Sequence, residues 1–256
     1  MFLRRWALPV SLLALCAALA IGSRQKGLPE TVIPVIDEAP TKANSYDWMG
    51  RHNAVVDRVK QGNVDMILVG DSIMHMWGGV PQPGGPGQYL WDKYFGSRNA
   101  VNLGFGWDRT QHVLWRLEHG ELDGIKPKVA IVMIGTNNMG SNSANDIATG
   151  VDTIVSTIRH KVKGIKILLL GIFPRDPMPD TPMRKEIADV NSQISVLGKE
   201  KNIVYLDLGS IFLQADGTIS SDIMGDYLHP TPKGYALWAK EMEPALAKLF
   251  GDKARE

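Results

Sequence analysis

Cysteine is nearly absent, with a single residue, Cys16, in 256. It lies inside an apolar run from Trp6 to Ile21, which follows Arg4 and Arg5 and ends in the small-residue pattern Ala18-Leu19-Ala20. That arrangement reads as a secretory signal peptide over residues 1 to 20, or as an uncleaved N-terminal anchor. The run is short for a bilayer span, which needs about 20 residues. Leu15 precedes Cys16 where lipoprotein processing wants a small residue, so a lipid anchor is disfavoured. Cleavage after Ala20 would leave a mature chain without cysteine, excluding disulfides, thiolate catalysis and cysteine-held metals together. The expected location is outside the cytoplasm, periplasmic or secreted.

Excess charge is missing as well. The chain has 28 Lys and Arg against 27 Asp and Glu, a formal net charge of +1. This lacks the basic bias of nucleic-acid binders, and nucleic acid is not an expected partner. What remains is ordinary globular composition, 44% hydrophobic and 21% charged, enough for one domain with a proper core. That domain is expected over residues 45 to 252. Residues 21 to 44 are polar and punctuated by proline, so they read as a linker with a short strand at Val32 to Ile36. No internal repeat is evident.

Within the domain, apolar runs alternate with helical patterns. Strands are expected at Asp65 to Val69, Ala100 to Leu103, Val129 to Ile134, Ile167 to Gly171 and Ile203 to Leu208. Most are continuous Val/Ile/Leu runs without alternation, as befits strands covered on both faces. Helices are expected at Tyr46 to Gln61, Thr110 to His119, Asn145 to Val162, Pro182 to Lys199 and Pro232 to Phe250. Thr181-Pro182 and Thr231-Pro232 each set a capping residue before a proline at the first helical position. The alternation predicts an α/β fold, a parallel sheet between helical layers, with ligands beyond the carboxyl ends of its strands.

Polar residues gather at those ends. VDMILVGDSIM, residues 64 to 74, is a buried-strand pattern ending at Gly70-Asp71-Ser72. Ser72 suits a nucleophile exposed above the sheet edge, although taken alone it reads more readily as a helix cap, since caps are common and nucleophiles rare. The G-x-S-x-G elbow is absent because Met74 stands two residues on, which disfavours an ordinary α/β-hydrolase. A serine needs a base. His52, His112, His119 and His160 fall in expected helices among charged neighbours and read as solvated, and His75 is too close in sequence to Ser72. His229 lies in the loop Asp226-Tyr227-Leu228-His229-Pro230, where a spacing of three in a helical turn would let Asp226 hold its ring. Asp-x-x-His is also compatible with a capped loop or a metal pair. The third strand ends at Gly135-Thr136-Asn137-Asn138, where an Asn amide can face an oxyanion or simply make a turn. The second strand ends in glycines that free backbone N–H groups.

Taken together these stretches resemble the SGNH (GDSL) hydrolase family. Gly70-Asp71-Ser72 is similar to its first block, Asn102-Leu103-Gly104-Phe105-Gly106-Trp107-Asp108 to its second, Gly135-Thr136-Asn137-Asn138 to its third and Asp226-Tyr227-Leu228-His229-Pro230 to its fifth. HVLWRLEHGELDGIKPKV and VMIGTNN most resemble the platelet-activating-factor acetylhydrolase catalytic subunits and related bacterial esterases. The resemblance implies a flavodoxin-like three-layer α/β/α sandwich with five parallel strands. It implies Ser72 as nucleophile, His229 as general base and then acid, and Asp226 as its orienting partner. The oxyanion hole would comprise the N–H of Ser72, the Asn137 amide and the N–H at Trp107, a position the family gives to glycine. Gly106 is the substitute donor should Trp107 not adopt the glycine geometry. No metal or organic cofactor is implied.

The expected activity is hydrolysis of small acyl esters, acetyl above all, with an acetylated carbohydrate as a candidate substrate. Lysophospholipids or thioesters are the alternative within the family. Two other classes compete: a metal-dependent phosphohydrolase holding its ion with Asp71, Asp226 and His229, and a non-catalytic carbohydrate-binding protein. Pocket candidates are Asp71, Trp77 and Arg175. The loop Trp77 to Gln88 is either a pocket cover or a surface insertion. Trp77, Trp91 and Trp107 are candidates to stack on a sugar and are equally ordinary packing residues.

Overall fold

The runs rich in Val, Ile and Leu pair as expected. In the computed structural model, which describes residues 27–37 and 46–256, β1 Met66–Gly70, β2 Ala100–Gly104, β3 Val129–Met133, β4 Lys166–Leu170 and β5 Ile203–Leu206 form one sheet. All pairings are parallel, in the order β2-β1-β3-β4-β5. The expected signal segment, residues 1–20, lies outside the described residues.

Side chains alternate across a strand, so each strand feeds two cores. Ile67 and Val69 of β1 enter one, and Met66 and Leu68 enter the other. The first is covered by α1 Trp48–Lys60, α2 Thr110–Glu118, α3 Ala144–Lys161 and α4 Pro182–Ile194, the second by α5 Pro232–Phe250. Hence the lack of polar alternation in the sequence: neither face of β1, β2 or β3 meets water.

The helix starts are built by side chains. Thr181 Oγ1 accepts from Arg184 N–H at 3.2 Å and Thr231 Oγ1 from Gly234 N–H at 3.3 Å, each just before a proline that has no N–H to satisfy. Helix α4 stops five residues short of the expected end, and Ser195–Lys199 winds into a tighter 3-10 turn.

The described part of the expected linker is docked on the domain. Glu30–Val32 is a 3-10 turn, and no strand forms at Val32 to Ile36. Thr31 is buried; its hydroxyl donates to the Asp146 carbonyl at 2.6 Å, and its carbonyl accepts from the Thr110 hydroxyl at 2.9 Å. These bonds tie the segment across the first turns of α2 and α3. Pro34 lacks the donor that a ladder at this position would use.

The strand order places a crevice where the site is expected. After β1 the chain crosses to β2 on one side, and after β2 it returns to β3 on the other. The carboxyl ends of β1 and β3 therefore flank the topological switch point, where α/β sheets bind ligands.

Candidate active site

Gly70 closes the first strand at a point where no side chain fits: a Cβ would stand 2.3 Å from the Met133 carbonyl oxygen of β3. Asp71 then caps a single helical turn, Ser72–His75, with Oδ1 accepting from the Ile73 N–H at 3.0 Å. Asp71 is 1% exposed, so it does not line a pocket as expected from the sequence; it is a buried cap. Burial pushes its carboxyl up to about 7, against the pull of the Ile73 N–H. Ser72, opening that turn, is half-buried at the rim.

His229 reaches Ser72 from 157 residues away, its Nε2 lying 2.8 Å from Ser72 Oγ. The loop that carries it is held by its own backbone, through the Met224–Pro230 bridge and the bond from Thr231 N–H to the Ile223 carbonyl at 2.9 Å. The Asp226–His229 spacing works through a different geometry from the helical turn inferred from sequence. Asp226 Oδ1 accepts from the N–H groups of Leu228 at 3.1 Å and His229 at 2.7 Å, while Tyr227 takes a left-handed φ of +59°. This Asx turn leaves Oδ2 to meet His229 Nδ1 at 2.6 Å. Burial raises the Asp226 carboxyl, but the His229 N–H, the His229 ring and the Leu228 N–H outweigh it and hold the group below the usual carboxylate range.

The third strand end joins them. Asn137 Nδ2 donates one hydrogen to the Asp108 carbonyl at 2.9 Å, and the second amide hydrogen is thereby oriented. Residues 105–108 form a turn closed from Asp108 N–H to the Phe105 carbonyl at 3.4 Å, with Trp107 at its third position and a φ of +71°. Trp107 thus adopts the conformation that favours glycine, at a cost of about 1–2 kcal/mol. The Gly106 N–H is directed at the Tyr46 hydroxyl, which disfavours Gly106 as the substitute donor.

Other expectations change. Trp77 is 0% exposed and packs between Tyr235 and Trp238 with ring centroids 4.7 and 4.8 Å away; Trp91 is buried as well. The turn at 72–75 directs the chain into the layer under α5, so neither ring reaches a ligand. The loop after Trp77 is tied beside β2: Val80 O accepts from Asn102 N–H at 2.8 Å, and Gln88 Oε1 accepts from Gly79 and Gly84 N–H. His52 and His112 are buried and not solvated, whereas His119 and His160 are exposed. Arg175 remains at the rim, half-buried, with Nη1 donating to Thr136 Oγ1 and the Thr136 carbonyl, both at 3.4 Å. Its charge is near enough to lower the Asp71 carboxyl.

Asp71, Asp226 and His229 do not converge on an ion site. The group of possible ligands among the described residues is instead Asp37, Asp108 and His112. There the Asp108 carboxylate already receives Trp48 Nε1 at 2.6 Å and Arg116 Nε at 2.8 Å.

Sequence reasoning also missed the supports beneath the site. Buried Asn102 accepts from Gly104 N–H at 2.8 Å and donates to the Met74, His75 and Gly78 carbonyls, binding the turn after Ser72 to β2. Asn138 Oδ1 accepts from Thr110 N–H at 3.0 Å, fixing the start of α2. The available signal was the presence of amides inside otherwise apolar strand ends.

The sequence profile of the GDSL-like lipase/acylhydrolase family matches residues 68–237, from within β1 to within α5, and so spans every residue described above as converging on Ser72. The chain belongs to this family. Platelet-activating factor acetylhydrolase IB subunit alpha2 of Homo sapiens is 38% identical over 211 residues, covering 82% of this chain and 87% of that protein. The human alpha1 subunit is 33% identical over 204 residues, covering 79% and 84%. Among solved structures, a GDSL-like lipase from Bacteroides thetaiotaomicron superposes with a TM-score of 0.60 at 17% identity, covering 80% of this chain and 98% of that one. An acetylxylan esterase from Geobacillus stearothermophilus gives 0.58 at 18% identity, covering 75% and 96%. This GDSL acylhydrolase is accordingly a carboxylic ester hydrolase with the flavodoxin-like three-layer fold.

Proposed function

We propose that this hydrolase cleaves small acyl esters, acetyl esters first, through an acyl-enzyme on Ser72. The hydrogen-bonded line from Ser72 Oγ to His229 Nε2 at 2.8 Å and from His229 Nδ1 to Asp226 Oδ2 at 2.6 Å carries this reading. A serine hydroxyl is a weak nucleophile until a base removes its proton, and Nε2 is at proton-transfer distance. With Nδ1–H held by Asp226, the neutral ring presents the Nε2 lone pair to Ser72, and the imidazolium that forms is stabilised. Oγ attacks the ester carbonyl and the negative charge moves to the carbonyl oxygen. There the N–H groups of Ser72 and Trp107 and the free Asn137 amide hydrogen act as donors. The tetrahedral adduct collapses, the C–O bond to the alcohol breaks, and His229 returns its proton to the departing oxygen. Water, deprotonated by His229, then releases the acid and restores Ser72.

The acetyl preference takes support from the acetylhydrolase names of the 38% and 33% identical relatives. An acetylated carbohydrate is the substrate class we favour, and the exposed rim gives the reason below. Export remains part of the proposal; an N-terminus beginning after Ala20 in protein recovered from the producing cells would support it. The central test is labelling by a fluorophosphonate together with turnover of p-nitrophenyl esters of increasing chain length. Ser72→Ala is expected to lose the label and to cut kcat by about 10³-fold or more, and wild-type rates should be highest on acetate. Undiminished turnover in Ser72→Ala would overturn the mechanism.

A further inference from the structure

Among the described residues, Trp48, Trp77, Trp91 and Trp238 are buried and Trp115 is half-buried in a stack with His119. Trp107 alone stands out in solvent, 57% exposed. Its backbone also occupies the left-handed region at φ +71°, which a bulky side chain disfavours and glycine does not. Two unfavourable features thus coincide on one residue, with no packing of the indole into a core to offset them. They coincide on the turn that joins Phe105, whose N–H bonds the Gly70 carbonyl, to Asp108, whose carbonyl holds Asn137. Backbone strain at such a place, on a residue whose ring is left open to solvent, points to a ligand contact.

We infer that the Trp107 indole is the platform for the alcohol half of the substrate, and that this alcohol is a pyranose ring of an acetylated saccharide. The inference rests on the acyl-transfer reading of Ser72. An acetyl group is small enough to be enclosed between Ser72 and the oxyanion donors, so only the alcohol half extends far enough to lie on a solvent-facing ring. The indole face is electron-rich and attracts the weakly positive C–H bonds of a sugar face. The half-buried Arg175 on the same rim has guanidinium donors that suit the hydroxyls of a sugar and not an alkyl chain. A quaternary ammonium is also drawn to indole, but the Arg175 cation at the same rim opposes it.

Steady-state kcat/KM on two pyranose acetates (acetylated xylobiose and glucose pentaacetate), on ethyl acetate and on acetylcholine tests this in wild type, Trp107→Phe and Trp107→Gly. Dividing each rate by that on ethyl acetate removes any effect on the oxyanion donor itself. The pyranose ratios should fall about five- to ten-fold in Trp107→Gly and stay mostly intact in Trp107→Phe, with the acetylcholine ratio unmoved. An equal fall on every ester, or a fall confined to acetylcholine, overturns the assignment. Titration of Ser72→Ala with the same saccharides, followed by tryptophan fluorescence, separates the two readings. A change present in Ser72→Ala and absent in Ser72→Ala/Trp107→Phe supports the platform even if the wild type hydrolyses none of the esters, an outcome that would sink only the Ser72 mechanism. Absence of any saccharide-dependent change in Ser72→Ala sinks the platform.

Discussion

Asp226 and Asp108 each sit within one residue or one bond of the oxyanion and triad groups, yet they live in opposite surroundings. Asp226 is exposed on a loop, and hydrogen bonds from two backbone N–H groups and the His229 ring hold its carboxyl low. Asp108 is wholly buried, and burial pushes its carboxyl up to about 7 against the pull of Arg116 and Trp48. Around Asp108 lies a closed set of charges: Arg116 also pairs with Glu121, and Glu121 accepts from His52 Nδ1 at 3.0 Å. Removing a contact at the rim leaves groups that water can still satisfy, so the loss falls on the reaction. Removing one from the buried set strands a charge, so the loss falls on folding.

The contrast is sharpest at Asp226. Asp226→Asn should lower kcat by about 10²–10⁴-fold, because the amide no longer stabilises the imidazolium and can hold the wrong tautomer. Its thermal midpoint should stay within about 2 °C of wild type, as befits an exposed position. Arg116→Met should do the reverse, destabilising the fold by about 3–5 kcal/mol in urea titration while the rate per folded molecule drops far less than in Asp226→Asn. If Arg116→Met were stable and dead, the division between rim and buried set would be wrong.

A smaller effect tests Asp71, which belongs to the buried side despite its place beside Ser72. Its ordinary value of 3.8 rises to about 7 on folding. As pH climbs, the unfolded chain therefore gives up this proton first. Below both values the group contributes nothing to the slope. Between about pH 4 and pH 7 it removes about 1 kcal/mol of stability per pH unit, and above that the loss is constant. Asp71→Asn should lack this slope, which urea unfolding of both proteins across that range would reveal; parallel curves would show that Asp71 does not titrate as its burial dictates. The smallest expected effect is that of EDTA, which should leave ester turnover unchanged. A chelator-sensitive rate would redirect attention to Asp37, Asp108 and His112.

Much of this layout was legible beforehand. The five strands were readable from their apolar runs, which are continuous in β1 and β3 because burial on both faces leaves no other pattern. The starts of α4 and α5 were readable from Thr-Pro, since capping is a local bond between neighbours in sequence. The convergence of polar residues at three strand ends and the last loop was visible too, because parallel strands of one sheet all deliver their carboxyl ends to one rim. Trp77 was not legible: the residues that decide its burial, Tyr235 and Trp238, lie more than 150 positions on. Nor were His52 and His112, whose buried carboxylate partners, Glu121 and Asp37, lie far from them in sequence.

The order of residues by itself determined the strands, the caps, and the kinds of polar group that end each strand, all of which follow from contacts within a few positions. The tertiary structure alone decided that Ser72 and His229 lie 2.8 Å apart, that Asp71 is covered while Asp226 is not, and that Trp107 keeps its ring in water. Exposure and long-range proximity are properties of how the layers close over one another, and no local pattern encodes which side chain a distant helix will cover.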